Sequence, residues 1–74
     1  MSQTESVRMS VVSSMLASVA YSIDANLDLE FRSGATYRYF DVPEAVFQGL
    51  IAAESKGAYF NRNLRNRFPY QRLA

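Results

Sequence analysis

The residues with the most chemistry to offer lie in the last quarter of the chain. Lys56, Arg62, Arg65, Arg67 and Arg72 are the only charged residues after Ser55, and Tyr59, Phe60, Phe68 and Tyr70 are interleaved with them. Guanidinium and ammonium groups contact phosphates, and aromatic faces stack on unpaired bases, so this mixture predicts nucleic-acid contact. Arg62 and Arg65 stand three apart, on one side of a helix, and Arg72 extends the patch toward a phosphate backbone. The expected site is therefore Arg62, Arg65, Arg72 and Lys56 on phosphates, with Tyr59 or Tyr70 stacking. Some three to five phosphate contacts would give a salt slope of roughly −2 to −4. The same cations would also suit an ordinary solvated face, and pairing of Arg62 and Arg65 with acids of the sheet would abolish the patch.

Other chemistries are excluded by what the chain lacks. It has no His and no Cys, which removes the commonest general base, the thiol nucleophile, the usual zinc sites and any disulfide. There is no phosphate-binding loop, dinucleotide fingerprint or nucleophile elbow. Asp28 and Glu30 share a strand face, and the expectation for them is a solvated outer surface. No catalytic residue, cofactor or metal is expected. Charge is distributed unevenly: residues 1–55 sum to −4 and residues 56–74 to +5, a net charge of +1. Such asymmetry makes interaction surfaces. Seventy-four residues form one domain, and ten Phe and Tyr argue for a packed core. No apolar run approaches the ~20 residues of a membrane span. The polar start MSQTESVRMS does not resemble an export signal, so a cytoplasmic protein is expected.

The elements that must hold these residues follow from periodicity. Residues 1–8 have no pattern and no turn chemistry, and residues 1–10 are expected to be a disordered tail, leaving 11–74 as the domain. Met15, Ala17, Val19, Tyr21 and Ile23 alternate with smaller or polar residues and predict a first strand; Asp24-Ala25-Asn26 is its turn. Leu27, Leu29 and Phe31 alternate with Asp28, Glu30 and Arg32 in a second strand. Gly34 marks a hairpin, and Thr36–Val42 is the third strand, containing Tyr37-Arg38-Tyr39. A two-residue Ser33-Gly34 loop would set the tyrosines beside Asp28 and Glu30. A three-residue loop, Arg32 to Gly34, opposes Leu29 to Tyr37 and Leu27 to Tyr39, and it suits a left-handed Gly better. The tyrosines are therefore expected over the core. Pro43 opens a helix with Val46, Phe47, Leu50 and Ile51 as its stripe, and Lys56 and Gly57 close it. A second helix is expected over 58–67, with Phe60, Leu64 and Phe68 facing inward. The fold class is α+β: a three-stranded antiparallel meander followed by two helices on one face, β-β-β-α-α. Its core comprises Val19, Tyr21, Leu27, Leu29, Phe31, Tyr37, Tyr39, Val46, Phe47, Leu50, Ile51, Phe60 and Leu64.

In order, Ser13-Ser14, Val19 with Tyr21, Leu27-x-Leu29-x-Phe31, Gly34, Tyr37-x-Tyr39, Val42-Pro43, Ser55-x-Gly57-x-Tyr59-Phe60-Asn61 and Leu64-Arg65 resemble the bacterial KTSC domain. The resemblance runs from Val11 to Leu73; Ala20 departs from it, standing where the family more often has Gly. That domain is named for its place at the C-terminus of some lysyl-tRNA synthetases, and it also occurs alone. The resemblance implies a tRNA-like RNA partner and structural roles for Tyr37, Tyr39, Pro43 and Gly57. It supplies no catalytic residues.

A rival expectation is a protein-interaction or self-associating module. Helices can cover only one face of the sheet, and the other is expected to offer Leu16, Ala20, Arg38 and Phe40.

Overall fold

The structure, a computed structural model, describes residues 6–74. Among these, five strands form one antiparallel sheet in the order β1-β2-β3-β4-β5. The strands are β1 (Ser6–Ser10), β2 (Leu16–Ser22), β3 (Leu27–Phe31), β4 (Thr36–Tyr39) and β5 (Tyr70–Arg72); helices α1 (Glu44–Ala52) and α2 (Lys56–Asn63) intervene between β4 and β5.

This corrects the three-stranded expectation at both ends. Part of the tail expected over 1–10 lies outside the described residues, but Ser6–Ser10 pairs with β2 along its whole length, from Ser6 opposite Ser22 to Ser10 opposite Ser18. The last residues return to the sheet instead of trailing away: Tyr70 lies opposite Tyr39, and Arg72 opposite Tyr37. Both added strands are edge strands, whose pairing rests on backbone hydrogen bonds that any sequence can make. Ser6–Ser10 does alternate, with Val7 and Met9 between polar residues and Met9 packed on the core, whereas the three residues of β5 are too few to show a period.

The central hairpin follows its side chains. Leu27 faces Tyr39 and Leu29 faces Tyr37, so the tyrosines lie on the apolar face of the sheet. The three-residue turn closes with Phe31 N–H donating to the Ala35 carbonyl at 2.8 Å, and Gly34 adopts φ +103°. A side chain at that φ would be strained, which is why Gly fixes the register.

The first of the expected strands holds a surprise. Leu16 faces Phe31 while Ser18 faces Glu30, so Ala17 is the extra residue of a β-bulge. A bulge inverts the alternation. Even-numbered Leu16 therefore enters the core together with odd-numbered Val19, both fully buried, whereas Ile23, expected on the core face, is 74% exposed. Beside the bulge, Ser13 Oγ accepts from the N–H groups of Met15 and Leu16, and Arg32 Nε donates to the Ser13 carbonyl at 2.7 Å.

Pro43 caps α1 from the position before the helix, its carbonyl accepting from Val46 N–H at 3.0 Å. The helix ends earlier than expected, at Ala52, and Lys56 Nζ donates to the Ala53 carbonyl at 2.9 Å. Gly57 is not the cap of α1 but lies in the first turn of α2, where Ser55 Oγ accepts from Ala58 N–H. The second helix also stops short, at Asn63, because Asn66 takes a left-handed conformation (φ 61°), which Asn tolerates better than most residues.

Both helices lie against the apolar face. Leu16, Val19, Leu27, Leu29, Tyr39, Val42, Phe47, Leu50, Phe60 and Leu64 form the buried cluster, with Tyr21, Phe31, Tyr37, Val46 and Ile51 packed on it. All the expected core residues belong here; Leu16 and Val42 join them. Tyr21 stacks on Phe47 at 4.7 Å and donates its hydroxyl to the Val42 carbonyl, which ties β2 to the start of α1.

Candidate functional site

The structure divides the six expected contact residues. Lys56 is committed to the Ala53 carbonyl, and Tyr59 donates its hydroxyl to the Val46 carbonyl at 3.1 Å. The Tyr59 ring also fills the space where a side chain on Gly49 would stand, so it locks α2 to α1. Arg62 is exposed on α2, but Arg65 lies beyond the end of that helix, so the two do not share a helix side. Neither makes an ion pair among the described residues; the ion pair there joins Arg38 to Asp28.

Arg65, Tyr70 and Arg72 are brought together. Arg65 and Tyr70 line a cleft of about 440 Å³ between the β3–β4 hairpin, the turn after α2 and β5, together with Phe31, Ser33, Ala35, Tyr37, Tyr39, Phe60 and Asn66, and Arg72 lies over the Tyr37 ring. Pairing of Tyr39 with Tyr70 and Tyr37 with Arg72 puts all four side chains on the helix-bearing side of the sheet. The Tyr70 ring lies 5.7 Å from Tyr37 and 5.5 Å from Tyr39, tilted against both. Phe60 meets Phe31 and Tyr39 edge to face at 5.5 and 5.8 Å. Arg72 places its guanidinium 5.9 Å from the Tyr37 ring centre while Nε donates to the Ala74 carbonyl. Burial pushes the Tyr39 phenol above its ordinary value, Tyr70 and Tyr37 add to this, and Arg65 opposes it. The cleft thus has aromatic walls and a cationic mouth, and no acid among the described residues lines it. Sequence reasoning found Tyr70, Arg65 and Arg72 separately but missed their convergence, because that depends on β5 rejoining the sheet.

The opposite side of the sheet carries no helix and is chemically different. Ser18, Ala20 and Ser22 form a low strip along β2 that is itself buried among its neighbours, and the part-exposed groups of this face are Asp28, Glu30, Thr36 and Arg38. Ser18 Oγ donates to Glu30 at 2.7 Å, and Arg38 holds Asp28 through two hydrogen bonds of 2.8 and 2.9 Å. That pairing raises the Arg38 pKa above its ordinary value. Leu16, expected on this face, is in the core for the reason given above, and Phe40 is half-buried, its N–H donating to the Pro69 carbonyl. Among the described residues there is no group of three or more His, Cys, Asp or Glu placed to hold a metal ion, and no helix is long and apolar enough to cross a membrane.

Comparison with known proteins places this architecture. The family model of the KTSC domain matches residues 12–68. This chain belongs to the KTSC domain family. The crystal structure of a KTSC domain protein from Yersinia pestis superposes with a TM-score of 0.88 at 32% identity, covering 95% of this chain and all of that one. A protein of Stutzerimonas stutzeri is 45% identical over 56 residues, 74% of this chain and 79% of that protein. Lysine–tRNA ligase of Trichormus variabilis is 42% identical over 53 residues, 72% of this chain, and the match spans only 9% of the ligase. These relatives are bacterial, and the KTSC domain is in one case a small appendage and in others nearly the whole protein. Several residues that carried the family resemblance have fold-building partners here: Ser13 at the bulge, Tyr21 on Val42, Gly34 in the hairpin and Tyr59 against Gly49.

Proposed function

We propose that this KTSC domain is a non-catalytic, cytoplasmic binding module that docks a partner protein on the uncovered face of its sheet. The observation that carries the reading is the makeup of that face: no helix covers it, and the part-exposed Asp28–Arg38 pair, Glu30 and Thr36 stand beside the low, buried strip Ser18-Ala20-Ser22. Fixed charges on such a face give a docked partner orientation more than adhesion. The strip itself holds no large apolar side chain, which suits a reversible contact with a different protein; obligate homodimers bury more apolar surface.

The test is photo-crosslinking in cells. A benzophenone amino acid replacing Thr36, on the open face, should yield a discrete protein adduct, and the same probe at Ala58, on α2, should not. Ala20→Lys, which sets a long cationic side chain on the buried strip beside Asp28, should abolish the adduct, with the far-UV circular dichroism spectrum checking that the fold is retained. Equal adducts from both sites, or an adduct indifferent to Ala20→Lys, would overturn the reading. A concentration-dependent dimer lost in Ala20→Lys would identify the occupant as a second copy.

A second reading is RNA contact through Arg62, Arg65 and Arg72. Two observations favour it: Arg62 and Arg65 are exposed without acid partners among the described residues, and the matched relatives include ligases that act on tRNA. Binding of that kind should weaken steeply between about 50 and 200 mM salt and fail in an Arg62→Glu, Arg65→Glu variant. Docking on the sheet should be indifferent to both.

A further inference from the structure

The cleft on the helix-bearing side is not used by docking on the open face, and its chemistry is narrower than that of a generic hollow. We propose that it is a binding site for a planar aromatic ring carrying an anionic group, the chemistry a nucleotide presents. At about 440 Å³ it falls within the range of small-molecule sites. Its walls are ring systems: Tyr37, Tyr39 and Tyr70 with Phe31 behind them. Tyr70 is 57% exposed, yet it is held by ring contacts to two other tyrosines, so one of its faces is presented to solvent in a fixed orientation. Fixed, half-open aromatic faces favour flat ligands, because the ordering cost has been met in the fold.

Charge then selects among flat ligands. Aromatic cages without cations of their own capture ammonium groups. Here Arg65 lines the mouth and Arg72 lies over Tyr37, with no acid among the described lining residues, so a cationic guest meets repulsion. An anionic substituent reaching the Arg65 guanidinium gains a charge-assisted hydrogen bond, and Asn66 beside it offers a further donor. The inference is independent of docking on the sheet, which uses the opposite face. It shares Arg65, Arg72 and Tyr70 with the expected RNA patch.

Titration of the isotopically labelled full chain with adenosine monophosphate, adenosine, inorganic phosphate and tetramethylammonium, followed by NMR, tests the site. The expected result is shifts at the rings of Tyr37, Tyr39 and Tyr70 with adenosine monophosphate, at a Kd of about 0.1–1 mM as befits an open cleft. Adenosine should bind at least about fivefold more weakly, and phosphate and tetramethylammonium should leave the rings unmoved. Tyr70→Ala and Arg65→Ala should each lose binding; Tyr70 is exposed on the edge strand, so the fold survives its removal. Arg62→Ala, outside the cleft, should change nothing. Ring shifts with tetramethylammonium, no ring shifts with adenosine monophosphate, or equal affinity for adenosine and its phosphate would overturn the proposal. A parallel titration with a short oligoadenylate distinguishes the two sources of such a ligand. Tighter binding with the same ring shifts would assign the cleft to an unpaired nucleotide of a strand, and unchanged affinity would assign it to the free nucleotide.

Discussion

The two faces of this sheet come from the same strands, one residue out of phase, and they are governed by different forces. On the helix side, Val19, Leu27, Leu29 and Tyr39 are closed off from water and packed against Phe47, Leu50, Phe60 and Leu64. On the other side, Ser18, Asp28, Glu30 and Arg38 satisfy one another through hydrogen bonds across the strands. Burial of apolar area supplies most of the stability of a domain, whereas exposed ion pairs contribute little. The difference teaches that the charged groups of the open face, Asp28, Glu30 and Arg38, are free to be shaped by a partner, because the fold depends little on them, whereas Ser18, Ala20 and Ser22 between the strands are buried. On the helix side only the rim along β5 has similar freedom, and the aromatic cleft is there.

The comparison can be broken most forcefully inside β3, where Leu29 and Glu30 are neighbours on opposite faces. Leu29→Ala should cost about 2–5 kcal/mol in urea denaturation, enough to unfold much of a domain of this size. Glu30→Ala removes the acceptor of Ser18 and should cost about 1 kcal/mol. Equal losses would show that the two faces are not energetically distinct. Next in size is Gly49→Ala: the added methyl would collide with the Tyr59 ring and hydroxyl, prising α2 from α1 at about 1–3 kcal/mol. Pairing it with Tyr59→Ala in a double mutant should recover part of that loss, since the obstruction is the ring itself.

How much of this was legible in the sequence depends on which force acts. Leu27, Leu29 and Phe31 announce their face by strict alternation, and Gly34 announces its turn by the conformation only Gly takes easily, so the register of Tyr37 and Tyr39 followed. Ala17 gives no such sign. A bulge is one extra residue in a ladder, and Ala fits either side, so the entry of Leu16 into the core could not be read from the alternation of its neighbours. Tyr70–Arg72 was equally silent: a three-residue edge strand is fixed by backbone bonds to β4, and only tertiary placement creates them. The cleft, which needs that strand, was therefore invisible although Arg65, Tyr70 and Arg72 had each been singled out.

The aromatic side should also be the alkaline-sensitive one. Burial raises the Tyr39 phenol above the ordinary value of 10.0, and Tyr21 is raised too, by burial and by Glu44. The folded state holds these protons more tightly than the unfolded chain does. Their contribution is therefore fully present below the unfolded value near 10 and is lost as pH rises from there through the higher value of the folded state. Urea midpoints measured across that window should fall in the wild type and fall less in Tyr39→Phe. Phenolate absorbance should show the buried fraction titrating late.

The smallest effect sharpens the contrast from the other side. Arg38 grips Asp28 in a two-bond arrangement, yet its side chain is 40% exposed and that of Asp28 13%. Solvent screening at such exposure leaves the pair worth at most about 1 kcal/mol, so Arg38→Ala should shift the urea midpoint only slightly. Because a mobile salt atmosphere shrinks charge interactions to about 3 Å at 1 M, most of the remaining difference between wild type and variant should vanish at that concentration. The same substitution leaves one carboxylate on the open face without its cation. If that face docks a partner, the crosslinked adduct should be lost while the fold survives, separating recognition from stability within one residue. A loss of stability comparable to that of Leu29→Ala would instead place Arg38 in the structural core of the domain, and the uncovered face would no longer be free for another molecule to shape.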